Sequence, residues 1–284
     1  MRLSRLALPL LLTGALVAGC GGGSSKQTSP STGQTQPSQQ PQLSPVAAVQ
    51  GASDATSKAG SSRFALSSVA KFGANEVTIS GDGAIDYAKR TGQLTLKLAQ
   101  GAQRGATIEE RFLGDTLYVS APQQPGTFYK LALKDLVGTS LASSADPTAG
   151  FQVLKGASSD VTEVGKEKVR DADTTHYKGT YDAQAALAKV SGVSKQLLQS
   201  SLQGSDLSKV PFDAYLDSQG RLRKLVQQLT VHPKAAKGMA VQTTTTLEAF
   251  DFGTPVTASA PPAAQVKDGA PLVKALRGAA ASSG

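Results

Sequence analysis

Between Phe64 and Phe252 apolar and polar positions alternate with a period of two, and turn residues interrupt the alternation at short intervals. Leu94, Leu96 and Leu98, set against Thr95, Lys97 and Ala99, give the clearest example. A strand with this pattern puts one set of side chains on each face. Phe64, Leu66 and Ser68 through Phe72 predict a first strand. Val77 and Ile79 lead through Gly81-Asp82-Gly83 to Ile85 and Tyr87, a hairpin or a long bulged strand, and the Gly-Asp-Gly run itself reads best as a turn. Ile108 to Leu113 follows, then a Gly114-Asp115 turn, Thr116 to Ser120, a turn at Pro122 to Gly126, and Thr127 to Leu131. Connections this short belong to an antiparallel meander.

The second half mixes periods. Asp146 as N-cap and Pro147 at the first helical position predict a helix running through Phe151, Val153 and Leu154. Val161 to Val169 and Thr174 to Tyr181 predict a strand pair joined at Asp171 to Asp173. Asp182 caps a helical stretch to Leu202, with a break at Ser191-Gly192. Pro211 to Leu216 and Arg221 to Val231 pair across the turn Asp217 to Gly220. Met239 to Phe252 is a last long strand, in which Thr243 to Thr246 favour extended backbone. Ahead of the first strand, Pro45 to Ala59 carries Val46, Ala47, Val49, Ala52 and Ala55 at roughly helical spacing. The fold class is therefore α+β: a single strongly curved antiparallel sheet with two or three helices on one face. Several strands carry apolar residues of both parities. That predicts a sheet covered on both sides, or one whose inner face lines an apolar space.

The chain ends differ from this middle. Arg2 and Arg5 form a positive region, Leu6 to Val17 a short apolar run, and Leu16-Val17-Ala18-Gly19-Cys20 matches the lipobox read by lipoprotein signal peptidase. The apolar run is too short for a permanent span, which takes about 20 residues. Residues 1–19 are thus expected to be a lipoprotein signal peptide, with Cys20 joined to diacylglycerol as a thioether. Two acyl chains anchor durably where one does not. Residues 20–60 read as the lipidated cysteine and a tether, because Gly21 to Leu43 is Gly, Ser, Thr, Gln and Pro with almost nothing to bury. Residues 61–255 read as the folded domain. Residues 256–284 read as a low-complexity tail that holds a short helix from Pro271 to Ala280.

Composition narrows the picture. Cys20 is the only cysteine among 284 residues, so no disulfide and no thiolate metal site is available. The formal charge of +8 becomes +6 once Arg2 and Arg5 are removed. The cations are scattered without interleaved aromatics, which points to an anionic membrane surface or anionic lipid headgroups and away from nucleic acid. The expected location is the extracytoplasmic face of the cell membrane.

The order of elements resembles the LppX/LprG-type lipoproteins of mycobacteria and their actinobacterial relatives. The residues that carry the resemblance are LGDTLYVS (Leu113 to Ser120), FYKLAL (Phe128 to Leu133), VTEVGKEKVRDADTTHYKGTYD (Val161 to Asp182) and PFDAYLDSQGRLRKLVQQLTV (Pro211 to Val231). The resemblance implies a LolA-like fold, a half-barrel sheet wrapped around helices with an apolar cavity that takes acyl chains. It implies a carrier of lipids or lipid-linked glycans in the envelope, with no catalytic residues; a transporter is a further candidate partner, and no cofactor is expected. Strand parity alone suggests the cavity lining: Phe64, Leu66, Val77, Ile79, Leu94, Leu96, Leu98, Ile108, Phe112, Leu117, Val119, Val226 and Leu229. The same residues would equally fill a solid core. A filled core with an exposed patch would instead mark a non-catalytic envelope lipoprotein that binds another protein.

Catalytic chemistry has little to stand on. The two histidines are His176, in a strand beside Tyr177, and His232, before Pro233 at a strand end. There is no Gly-x-Ser-x-Gly elbow, Walker loop or His-Glu-x-x-His. Glu109 and Glu110 are adjacent in a strand, so they point to opposite faces and do not pair. Asp171 and Asp173 share a face, and a polar turn accounts for them without a metal.

Overall fold

The computed structural model describes residues 43–99, 105–139, 141, 148–201, 207–231 and 240–282. The predicted sites at Cys20, Asp146-Pro147 and His232 lie outside the described residues. Helix α1 is Pro45–Lys58. Ser44 caps it, accepting from the Ala47 N–H at 3.3 Å, and Pro45 takes the first turn, where its missing N–H costs nothing. Val49 and Ala52 are fully buried. Burial of a valine alone contributes roughly 1.5–3 kcal/mol. The compact unit that starts at Leu43 therefore includes α1. Thr56 fastens α1 to the sheet: its hydroxyl donates to Ala52 O at 2.7 Å and accepts from the Leu222 N–H at 2.9 Å.

The strands run in chain order as β1 (Ser61–Phe72), β2 (Asn75–Asp86), β3 (Thr91–Leu98), β4 (Thr107–Leu113), β5 (Thr116–Ser120) and β6 (Phe128–Ala132). Then come β7 (Thr162–Val169), β8 (Ala172–Tyr181), β9 (Val210–Leu216), β10 (Leu222–Val231), β11 (Val241–Phe250) and β12 (Val266–Asp268). All twelve belong to one open sheet in the order β12-β6-β5-β4-β3-β2-β1-β11-β10-β9-β8-β7. Every pairing is antiparallel except β12 with β6. The long strand β11 returns to lie beside β1, so the two hairpin series join in the middle of the sheet.

Two differences from the sequence pattern have physical causes. Gly81-Asp82-Gly83 is not a turn: β2 runs straight through it, and the chain reverses at Gly73, whose φ of +58° suits a tight turn. The two glycines serve close approach. A Cβ on Gly83 would lie 2.7 Å from Phe64 Cζ, and one on Gly81 would lie 2.7 Å from Leu96 Cδ2. The segment after Pro255 is also more than a tail. It adds β12 to the sheet edge and ends in α5 (Ala270–Ser282), with Val273 buried. The sequence predicts the helix from Pro271 onward; it does not predict β12, since the pairing of β12 with β6 uses backbone alone.

The remaining helical elements are α2 (Ala149–Gln152), α3 (Ala183–Ala188) and α4 (Gly192–Ser201), with 3-10 turns at Leu133–Leu136 and Val153–Gly156. Asp182 caps α3 by accepting from the Gln184 and Ala185 N–H groups. Gly192, at φ +67°, separates α3 from α4. These elements cover one face of the sheet in two patches. Val49, Leu154, Leu187, Phe212, Leu216 and Leu225 centre the patch over β8 to β10. Phe64, Leu94, Phe112, Leu117, Leu136, Leu197 and Val273 centre the patch over β1 to β6. Tyr87 and Leu247 pack against both.

Candidate functional site

The register assigns each predicted lining residue to a face. Phe64 stands opposite Gly83, Gly83 opposite Leu94, Leu94 opposite Glu110, and Glu110 opposite Val119. A second row runs Ile85, Gly92, Phe112, Leu117 and Leu131. On the other side of the first row come Leu247, Leu66, Gly81, Leu96 and Ile108. Beyond that lie Ser68, Ile79 and Leu98, and then Leu229, Thr243, Ala70 and Val77. Thus Phe64, Leu66, Val77, Ile79, Leu94, Leu96, Leu98, Ile108, Phe112, Leu117, Val119 and Leu229 share the face that the helices cover.

Val226 does not. It stands opposite Thr246, which stands opposite Ser67, and that row belongs to the outer face. Val226 and Leu229 are both apolar, but an odd separation along a strand sends them to opposite faces.

The inner face divides into two zones. Near Tyr87 the residues are packed: Phe64, Leu94, Phe112, Leu117 and Val119 are buried against the helical layer, with Leu117 at 0% exposure. Toward the Phe72 end of β1, Leu66, Val77, Ile79, Leu96, Leu98, Ile108, Leu229 and Leu247 are only half-buried. From Leu66 to Phe72 this strip is about 20 Å long at the usual rise of a strand, and from β10 to β4 it spans about 24 Å. A pocket between sheet and helices has a volume of about 210 Å³ and is lined by Ile85, Phe112 and Tyr87 with Ser57, Gln152 and Ser194. Ligand sites usually need about 300–1,000 Å³.

Polar groups pin the covering layer to the sheet. The Tyr181 hydroxyl donates to Gln227 Oε1 at 2.9 Å, and Gln227 Nε2 donates to Gly150 O at 2.8 Å, holding α2 over β10. Burial pushes the Tyr181 phenol far above its ordinary range, so it remains a donor. Tyr87 shares a 2.7 Å hydrogen bond with Ser62 and meets Phe151 edge-on, with ring centroids 6.1 Å apart. Burial raises its phenol too, and the Ser62 bond only partly offsets the rise. Glu110 sits at 2% exposure between Leu94 and Val119, while Glu109 points out. The parity argument separates the two carboxylates correctly. It also places Glu110 among the apolar lining, a feature the search for apolar residues passes over.

His176 lies on the outer face, 8% exposed. Its Nδ1 is 2.8 Å from Glu167 Oε1 and its Nε2 is 2.8 Å from Asp213 Oδ1. The ring stacks on Tyr215 at 4.3 Å. With both nitrogens engaged, the ring ties β7, β8 and β9 together. Among the described residues no group of three His, Cys, Asp or Glu is placed to hold a metal ion. Nor is any described helix long and apolar enough to cross a membrane.

No protein-family model matches the sequence. No curated protein matches it. Among solved structures, LprF from Mycobacterium bovis is 15% identical with a TM-score of 0.47, covering 76% of this chain and 96% of its own. The lipoprotein LppX from Mycobacterium tuberculosis is 16% identical with a TM-score of 0.48, covering 76% of this chain and 98% of its own. A LolA superfamily protein from Nitrosomonas europaea is 12% identical with a TM-score of 0.28, covering 74% of this chain and 93% of its own. The chain is similar to LppX- and LprF-type proteins and to the LolA superfamily.

Proposed function

We propose that this chain is a lipid-anchored envelope protein that holds acyl chains along the inner face of its sheet and carries or presents lipids. The observation that carries this reading is the half-buried apolar row Leu247, Leu66, Leu96 and Ile108, with Ile79 and Leu98 beside it on the face of the helical layer; Ser68, Thr245 and Thr243 separate it from Leu229. A globular protein ordinarily buries such a row or breaks it with polar residues. The lipobox ending at Cys20 supports the anchor, which would keep the strip within tether reach of a bilayer that supplies its cargo. Nothing in this reading calls for catalysis: the domain binds and releases.

The test is mass spectrometry of organic extracts from the purified Cys20→Ser protein, which lacks its own lipid. Co-purified acyl lipid at near-stoichiometric amounts is the expected result. Full burial of an acyl chain contributes about 0.8 kcal/mol per CH₂, so a long chain survives purification even when partly exposed. An extract free of lipid, together with no uptake of a fluorescent fatty acid, would count against the proposal.

A further inference from the structure

The apolar inner face carries a polar interruption whose hydrogen bonding is incomplete. Ser68 on β1 stands directly opposite Thr245 on β11, and their hydroxyls lie 3.2 Å apart. That separation is long for an O–H···O bond, which usually spans about 2.5–3.0 Å. The Ser62–Tyr87 pair, nearer the packed end, closes to 2.7 Å. Each hydroxyl carries one proton and two lone pairs. Ser68 and Thr245 share one of their two protons with each other, so the second proton has no partner among the described residues.

The neighbours of the pair decide what suits it. Toward the packed end stand Leu66 and Leu247, beside Ser68 stands Ile79, and on the far side Leu229 stands opposite Thr243. All of these are half-buried, as are Ser68 and Thr245 themselves. Gln227 stands opposite Thr245 on β10, and it is held against α2 by its bonds to Tyr181 and Gly150 O. A Cβ on Gly150 would lie 3.8 Å from Leu247 Cδ2, so α2 roofs the face at Leu247 and the hydroxyl pair lies beside that roof. A hydrocarbon laid across the pair would take water from the hydroxyls and leave the second proton stranded. A carbonyl oxygen at the same point accepts that proton. Same-face positions on a strand recur about every 6.6–6.8 Å, so apolar arms on either side of the carbonyl reach Leu66 and Leu229. None of these inner-face positions carries a charge, which suits a neutral ester better than a carboxylate.

We infer that Ser68 and Thr245 position the ester linkage of an acyl lipid, donating a hydroxyl proton to its carbonyl oxygen while the chains lie on the flanking leucines. The inference rests on the acyl-binding reading above and adds the linkage that the face selects. Fluorescence titration of the full-length Cys20→Ser protein would compare methyl pyrenedodecanoate with dodecylpyrene, which has the same ring and chain and no ester. The double variant Ser68→Ala/Thr245→Val should bind the ester probe about five- to tenfold more weakly, the effect of one hydrogen bond. The same variant should bind dodecylpyrene at least as tightly as wild type, because the stranded proton is gone. Ser68→Thr keeps both hydroxyls and should retain the ester affinity. Thr246→Val, the same change one residue along β11 on the outer face, should move neither probe. Thermal unfolding establishes that each variant is folded. An equal loss for both probes would reduce the pair to packing and overturn the inference. Unchanged ester affinity in the folded double variant, with wild type binding both probes, would overturn it too and leave the acyl reading standing. Failure of wild type to bind either probe would overturn both.

Discussion

If acyl chains lie on the inner strip, affinity must grow with chain length by an amount that reports how the strip is covered. The perturbation is a series of fatty acids from twelve to sixteen carbons, which adds four CH₂ groups. Complete burial contributes about 0.8 kcal/mol per CH₂, so a fully enclosed chain gains about 3.2 kcal/mol, or about 200-fold in affinity. The strip residues Leu66, Ile79, Leu96, Leu98 and Ile108 are half-buried, and the sheet forms one wall. A chain covered on that side alone gains about half as much, about 1.6 kcal/mol or 15-fold. Displacement of a fluorescent fatty acid, measured below the micellar range of each competitor, gives these ratios directly. A ratio near 15 is the expected result for a one-walled trough. A ratio near 200 would mean that the helical layer closes over the chain. Affinity independent of length would refute acyl binding, because no other contact on this face scales with CH₂ number.

Two further predictions concern stability. Gly83→Ala forces a methyl group against Phe64 and the Gln93 backbone carbonyl, so thermal or urea unfolding should show a loss of about 1–3 kcal/mol. Asp217, 6% exposed, is bonded to Arg221 at 2.8 Å and Arg223 at 2.9 Å. Burial alone would raise its carboxyl, but hydrogen bonds from both arginines and from the Arg221 and Gln219 backbone hold it below the ordinary carboxylate range. A depressed folded value makes the contribution fully present above the unfolded value of about 3.9 and lost as pH falls through the folded value. Urea denaturation from pH 6 down to pH 2 should therefore show the gap between wild type and Asp217→Asn narrowing below about pH 4. A gap that stays constant over that range would contradict the assignment.

Most of the sheet was legible in the sequence because its signals are local. Leu94, Leu96 and Leu98 announce β3 by alternation, and Asp217 to Gly220 announces the β9–β10 turn by composition. Helix α1 was legible from Pro45 and its apolar spacing, although its burial under β10 was not. The misses are tertiary. Gly81 and Gly83 look like a turn until Phe64 and Leu96 are seen to occupy the space that their missing side chains leave. Strand β12 is three residues paired in parallel with β6, a contact between segments more than a hundred residues apart that no local pattern encodes. For the site, parity placed twelve lining residues on one face. The parity reading includes Val226 too, but it lies three residues from Leu229 on β10, and an odd separation puts it on the other face. Nor could apolar character separate Phe112, packed beneath the helices, from Ile108, four residues away on the same strand and half-buried.

That last pair of misreadings supplies the most direct test. Val226 and Leu229 sit three residues apart on β10, one on each face. Val226→Gln and Leu229→Gln are the same chemical change applied to the two sides of the sheet. Fatty-acid uptake by the purified variants, with thermal unfolding as a control for folding, measures which side holds the ligand. The account predicts that Leu229→Gln weakens uptake by about tenfold while Val226→Gln leaves it near wild type. Equal uptake by the two variants, or a loss confined to Val226→Gln, would contradict it.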